Sequence, residues 1–157
     1  METRVIHHIL SWIRIMRINS KAFTIIELLF VIIIIGILAT VALPKFSESY
    51  KQSLISKAQS KVSAIRSGLQ VYKNKHILQG LPPYPTALDS DNNHLFDQVL
   101  PSAITPGTSS GDWQKIGTNQ YKYILNDGYI VFRYNNSNGQ FSCDPNLSSD
   151  SSLCDYF

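Results

Sequence analysis

Residues 23–43 read FTIIELLFVIIIIGILATVAL, and this stretch decides how the rest of the chain is interpreted. It is 21 residues long and apolar apart from Thr24, Glu27 and Thr40. A helix of that length spans about 31 Å, which is close to the thickness of a bilayer core. The basic residues just before it are Arg14, Arg17 and Lys21. Because basic flanks stay cytoplasmic, we expect one membrane crossing with the C-terminal part outside the cytoplasm.

Glu27 does not fit a simple membrane anchor. It lies one turn into the apolar stretch, where an unpaired carboxylate costs on the order of 2–3 kcal/mol. The cost has no explanation in a simple anchor, but it is explained if the carboxylate pairs with a cation from a partner. We therefore interpret Glu27 as a carboxylate that pairs with a cation from a partner.

The segment KAFTIIEL, residues 21–28, resembles the processing site of type IV prepilins and type II secretion pseudopilins. In that family a prepilin peptidase in the membrane cuts after a small residue and N-methylates the new terminal Phe. The resemblance implies cleavage between Ala22 and Phe23, which makes Glu27 the fifth mature residue. The family usually has Gly before the cut, so Ala22 is a departure, although it is still small.

The resemblance extends through Gly36 and Pro44, positions at which the family often has Gly and Pro. Pro44 removes a backbone hydrogen bond and clashes with the preceding turn, so we expect a kink there, and Gly36 is a second weak point. Both residues are therefore expected to be helix breaks. The fold implied is α+β and pilin-like, with a long N-terminal helix packed on a small antiparallel β-meander. The chain then divides into a leader, an assembly helix, an amphipathic half-helix and a globular head, at residues 1–22, 23–43, 44–78 and 79–157.

The leader has an internal alternative start. Beginning at Met16 leaves the seven residues MRINSKA with two positive charges, a shape common among prepilin leaders. We expect Met16 to be the true start, or residues 1–15 to be dispensable. His7 and His8 are interpreted as leader residues rather than metal ligands.

Residues 44–78 are predicted to form an amphipathic helix. One set of residues recurs at steps of three and four and should pack on the head: Leu54, Ala58, Val62, Ile65, Leu69 and Tyr72. Gly68 lies inside this stripe, and close packing by a neighbour is one explanation for it. Gly80 is expected to end the helix.

Charge is unevenly distributed along the mature chain. Residues 44–78 hold seven basic residues and one acidic residue, whereas residues 79–157 hold three basic residues and eight Asp. This pattern suits head-to-tail stacking of copies, a stem near anionic lipid, or an ordinary solvated helix face. The mature chain is about neutral, so the sequence does not indicate nucleic-acid binding.

The head is predicted to contain three strands, at residues 121–125, 129–134 and 140–143. Asn126-Asp127-Gly128 and residues 135–139 are the expected turns, and alternation places Ile130, Phe132 and Tyr134 on one face. A short helix is expected at residues 95–99, and Trp113 is interpreted as a loop anchor or a core residue.

Cys143 and Cys154 are the two cysteines of the chain, and an even count in an exported region favours a disulfide over two free thiols. The acidic residues Asp144, Asp150 and Asp155 in this tail are candidate calcium ligands, with a solvated loop as the alternative. No other cofactor is expected, and no zinc pattern or catalytic constellation is present in the sequence.

The function expected first is a structural subunit of a pilus-like filament in a type II secretion or DNA-uptake (competence) system. The segment Pro83-Tyr84-Pro85-Thr86, which resembles a segment of major pseudopilins, favours it. The alternative is a major or minor type IV pilus subunit, which the cysteine pair favours. The sequence is also compatible with a plain signal-anchored protein and with a secreted protein cut after Ala42.

The expected partners are other copies, other pilins or pseudopilins, the prepilin peptidase and an inner-membrane assembly platform. The expected location is the inner membrane, crossed once, with the head in the periplasm before assembly into a periplasmic or extracellular filament. In the family a free or methylated amine of an entering subunit meets the glutamate of the subunit ahead. Here that pair would be Phe23 and Glu27.

Overall fold

The computed structural model describes residues 23–157, without the side chains at positions 41, 43 and 44. The predictions for the leader, Met16 and Ala22 lie outside the described residues. The elements in chain order are helix α1 (Ile25–Leu78), strands β1 (Trp113–Gly117), β2 (Gln120–Ile124), β3 (Tyr129–Asn135) and β4 (Gln140–Cys143), and a 3₁₀ helix (Ser151–Tyr156). A long helix followed by an antiparallel sheet confirms the α+β, pilin-like class.

Helix α1 is 54 residues long and is continuous through Gly36 and Pro44. The helix breaks expected at these two residues stay predictions. It ends at Leu78 and is followed by Gly80 in the left-handed conformation, with φ of 70°, as the sequence predicted. When the described helix is divided at residues 41–44, neither segment alone is long and apolar enough to cross a membrane. The pair Ile25–Thr40 with Lys45–Leu78 meets the length and composition criteria together.

The described chain divides into two units between Leu43 and Pro44. In the described part of the first unit, every side chain of residues 23–40 is exposed, including the whole apolar series of the helix. An exposed apolar surface of this extent marks a region that contacts lipid or other protein chains.

The core of the second unit forms around the predicted stripe of α1. Leu54, Ala58, Val62, Ile65 and Leu69 are all buried, and Tyr72 is partly buried against the same core. This confirms the face predicted from the three-and-four spacing. The sheet residues Tyr121, Tyr123, Phe132 and Phe141 complete the core, together with Phe96 and Trp113.

The sheet is fully antiparallel, with strand order β1-β2-β3-β4. The register pairs Tyr121 with Phe132 between β2 and β3, and Phe132 with Cys143 between β3 and β4. Ile130, Phe132 and Tyr134 are buried together, as the alternation predicted. Both predicted turns connect their strands; in the first, the Leu125 N–H donates to the Gly128 carbonyl at 2.8 Å.

Two predictions for the head were wrong. The sheet has four strands rather than three, because Trp113–Gly117 pairs with β2 and places Trp113 in the core. Residues 95–99 form a turn rather than a helix. Leu95 makes an isolated bridge to Ile104, and Phe96 has a φ of 63°, which the right-handed helix does not accommodate.

Gly68 has a packing reason. A Cβ added to this residue would collide with the carbonyl oxygen of Val99, which lies directly against the helix. The absent side chain therefore lets the turn at residues 96–99 sit on α1, which confirms close packing by a neighbour.

Candidate functional site

Glu27 lies in the first turn of α1, next to the cap of the helix. The hydroxyl oxygen of Thr24 accepts a hydrogen bond from the Glu27 N–H at 3.3 Å, and the Thr24 carbonyl accepts one from Leu28 at 3.1 Å. Thr24 is thus the N-cap, and the Thr-x-x-Glu spacing is that of a capping box. Sequence reasoning missed this local role, although the spacing itself signals it.

The carboxylate of Glu27 is exposed and forms no ion pair among the described residues. Its negative charge in the first turn suits the positive end of the helix dipole. Phe23, 77% exposed, precedes the cap, so the residue expected to carry the new amine lies at the same end of the helix. Cleavage before Phe23 and pairing of its amine with Glu27 stay predictions.

A second candidate region is the C-terminal loop. Cys143, at the end of β4, is joined to Cys154 in the 3₁₀ helix, with a Cα–Cα distance of 5.5 Å, so the predicted disulfide is present. Asp150 caps the 3₁₀ helix by accepting a hydrogen bond from the Ser152 N–H at 2.9 Å. The loop is therefore closed covalently and capped at the start of its helical turn.

This loop covers a free edge of the sheet. Strand β4 pairs with β3 only from Phe132 onward, so the first residues of β3, which pair with β2 on one side, have no partner strand on the other. The Ser149 hydroxyl accepts from the Tyr129 N–H at 2.9 Å, and the Ser148 hydroxyl accepts from the Val131 N–H at 3.0 Å. Two serine side chains thus replace a strand, which blunts an edge that another chain could pair with.

Two of the three calcium candidates in the loop already have protein partners. Asp144 forms an ion pair with Arg133 at 2.8 Å, and Asp150 is the cap described above. Within residues 23–157, no three His, Cys, Asp or Glu side chains are grouped in a way that could hold a metal ion. Calcium binding by Asp144, Asp150 and Asp155 stays a prediction.

Sequence reasoning also missed a buried ionic network. The side chain of Asp89 is fully buried, and it accepts hydrogen bonds from the Lys115 ammonium and the Tyr121 hydroxyl. Burial, followed by the hydrogen bond to Asp89, raises the pKa of Tyr121. The network ties the loop before β1 to the sheet across 26 and 32 residues of sequence.

The end of the chain is held against α1. The Arg66 guanidinium donates to the carbonyl oxygens of Phe141 at 3.0 Å and Phe157 at 3.1 Å, and the Gln59 amide donates to Tyr156 at 2.9 Å. The Phe157 ring meets Phe132 edge-on at 5.0 Å. The disulfide loop is therefore fixed to the helix as well as to the sheet.

The described chain combines an exposed apolar helix that has one carboxylate in its first turn with a head that has its own core. A family model described as the prokaryotic N-terminal methylation motif matches residues 17–43. The chain is 36% identical over 113 residues to the type IV major fimbrial protein FimA of Dichelobacter nodosus, covering 71% of this chain and 69% of the relative. It is 35% identical over 72 residues to a fimbrial protein of Pseudomonas aeruginosa, covering 45% of this chain.

The chain belongs to the type IV pilin family. Its N-terminal segment carries the methylation motif of that family, and the relatives that it matches are fimbrial proteins. The match spans about half of the length of the Pseudomonas aeruginosa relative, 47%. No solved structure matches the chain.

Proposed function

We propose that this chain is a subunit of a type IV pilus. The observation that carries this proposal is the similarity to the major fimbrial protein FimA over 69% of that protein's length. The disulfide loop, fixed on the head, also favours a pilus subunit, since such loops in pilins are often exposed and contribute to subunit or surface contacts. The sequence alone favours a pseudopilin first and a pilus subunit second, and the similarity to FimA reverses that order.

A pseudopilin of a type II secretion or DNA-uptake system is the second candidate. Residues 83–86 favour it through their resemblance to major pseudopilins. Deletion of the chain separates the two functions. Loss of surface filaments in electron micrographs, with normal protein secretion and DNA uptake, supports the pilus; intact surface filaments with a secretion or uptake defect support the pseudopilin.

In the proposed pathway, the prepilin peptidase cuts between Ala22 and Phe23 and methylates the new amine. The chain then waits in the inner membrane with its head in the periplasm until an assembly platform adds it to the filament. N-terminal sequencing of the mature protein tests this pathway directly. A mature chain that begins with N-methylated Phe23 is expected, and a chain that begins at Leu43 would instead indicate ordinary signal-peptide cleavage after Ala42.

The assembly step pairs opposite charges inside a low-dielectric environment. The amine of Phe23 is largely protonated at neutral pH, and Glu27 of the adjoining copy supplies the carboxylate. A buried pair of this kind contributes to register more reliably than to net stability, whereas removal of one partner is costly. The carboxylate of Glu27, which is exposed and forms no ion pair with any residue that the structure describes, supports this role.

Glu27→Leu tests the pairing, and Glu48→Leu is the matched control because it removes the other acid of the described helix. We expect Glu27→Leu to reach the membrane in normal amount and to form no filaments, since the amine of the incoming copy has no partner. Glu48→Leu should assemble normally. Sheared filaments and membrane fractions are compared by immunoblot. Wild-type filament yield from Glu27→Leu would refute the pairing.

A further inference from the structure

The head carries a groove that no residue of the described chain fills. It lies between the last third of α1 and the turn at residues 97–99, with a volume of about 530 Å³. Gly68, Val71, Tyr72 and Val99 line it, together with polar side chains that include Lys75 and Asp97. Val71 is 68% exposed, so an apolar side chain faces solvent inside a concave surface. Such a groove fits an aromatic side chain from outside.

The same unit carries a matching protrusion. Phe46 is 72% exposed and Tyr50 is 49% exposed, and the two lie one turn apart on the same face of α1. Neither residue belongs to the core of the described head. One chain therefore presents both an aromatic protrusion and a groove of mixed polar and apolar lining, on different parts of its surface.

The charges beside the two features are complementary. Lys45 is exposed next to Phe46 and has no acidic partner among the described residues. Asp97 lines the groove and accepts hydrogen bonds from Ser90, but in the described part of the chain it forms no ion pair, even with the Lys75 ammonium of the same groove. A second copy that inserts Phe46 would bring its Lys45 towards Asp97.

We propose that the groove at Val71 accepts Phe46 of a second copy of this chain, with Lys45 of that copy facing Asp97. The proposal rests on the filament assembly of the proposed function and names the head contact within it. The protrusion and the groove are different surfaces, so the contact is heterologous. A heterologous contact that does not close generates an open helical filament.

The contact also fixes an offset between copies. Phe46 and Val71 are 25 residues apart on one helix, which corresponds to about 38 Å along its axis. If parallel copies place Phe46 level with Val71, neighbouring helices in this contact are displaced by about that distance. This displacement is the quantity that a cross-linking experiment measures.

Paired cysteines test the contact in the full-length chain while leaving Phe46 and Val71 in place. Lys45→Cys is combined with Gln98→Cys, an exposed residue of the groove, and filaments are treated with a mild oxidant. The control combines Lys45→Cys with Ser60→Cys, which is exposed on the same helix face as Val71 but about 16 Å nearer the start of α1. A disulfide requires Cα atoms within about 7 Å, so the two pairs discriminate the register.

We expect a ladder of cross-linked oligomers from Lys45→Cys/Gln98→Cys and only monomer from the Ser60 control. Cells that make the two single variants together should give dimers and no ladder. Filaments without a ladder overturn the groove contact and leave filament assembly intact. A ladder from the Ser60 control, or dimers from Gln98→Cys alone, also overturns it, since either result requires another register or a symmetric contact. Absence of filaments from the wild-type chain would overturn the proposed function itself.

Phe46→Ala provides an independent measurement. Because Phe46 is exposed in the single chain, the variant should accumulate in the membrane like wild type. We expect its filament yield to fall roughly tenfold or more, the factor that corresponds to losing one buried aromatic contact per copy. Ser53→Ala, also exposed on α1, is the control and should assemble normally. An unchanged filament yield from Phe46→Ala overturns the proposal.

Discussion

Gly68→Ala should destabilise the head, although the same substitution stabilises most helices. Ala is favoured over Gly in a helix interior by about 1 kcal/mol, so propensity alone predicts a more stable protein. The structure predicts the opposite sign, because the new methyl group would collide with the carbonyl oxygen of Val99. The sign of the change therefore reports whether the turn at residues 96–99 lies against α1.

The size of the change in the free energy of unfolding depends on the atom that the new methyl group would contact, which is the carbonyl oxygen of Val99. A side chain could rotate away, but a backbone carbonyl can move only if the turn moves, and this turn also carries the buried residues Leu95 and Phe96. Overpacking of this kind costs up to about 3 kcal/mol. After the gain in propensity of about 1 kcal/mol, we expect a net loss of about 2 kcal/mol in the free energy of unfolding. For a unit of this size, that loss lowers Tm by about 8 °C.

Thermal unfolding of the full chain in detergent, followed by near-ultraviolet circular dichroism, measures this change. Trp113 and the aromatic core supply the signal, since they are buried only in the folded head. Ser67→Ala, one residue earlier and exposed, is the matched control and should change the free energy of unfolding by less than about 0.5 kcal/mol. If Gly68→Ala raises Tm, the carbonyl does not touch the helix and the explanation of Gly68 is refuted.

Three further predictions concern the polar contacts of the head. Asp89→Ala should lower the free energy of unfolding by about 3–5 kcal/mol, because it leaves Lys115 without its buried partner; urea unfolding measures the loss. Cys154→Ser should cost about 3 kcal/mol by opening the loop that covers β3, and reductant should lower the wild-type Tm but not that of the variant. The Asp91 carboxylate raises the pKa of His94, so the stabilisation of this pair is present in the acidic range where His94 is protonated and Asp91 is still ionised. It is lost as pH rises through the pKa of folded His94, and Asp91→Asn should lower the midpoint in an NMR titration.

The elements that could be predicted from the sequence are those whose signals are local. The stripe of α1 repeats at helical spacing, and Asn126-Asp127-Gly128 specifies a hairpin by its own backbone preferences, so both were predicted correctly. The end of the helix at Gly80 is equally local. Each of these features depends on residues within a few positions of one another.

Strand β1 was missed because its polar and apolar residues occupy the opposite faces from those expected of a half-buried strand. Lys115 points into the protein with Trp113, whereas Ile116 is 45% exposed on the other face. An inward cation is tolerated only because Asp89 neutralises it, and the two residues are 26 positions apart. The inward position of Lys115 is therefore explained only by a partner that folding brings next to it. Sequence reasoning missed the buried network for the same reason, because its residues are far apart in the chain.

The second unit buries its apolar surface within itself, whereas the described part of the first unit leaves it exposed. This difference restricts which interactions can make assembly specific. The second unit buries its own stripe, whereas every described side chain of residues 23–40 remains exposed. On the proposed function that helix moves from lipid to a protein filament, and the move gains little hydrophobic free energy because lipid tails are as apolar as the neighbouring helices. Specificity must then come from the few groups that lipid cannot satisfy. In this chain those are the carboxylate of Glu27 in the first unit and, in the second, the head contact in which Lys45 meets Asp97. A filament built in this way uses both contacts, so Glu27→Leu and Phe46→Ala should each leave the chain folded in the membrane but deficient in assembly.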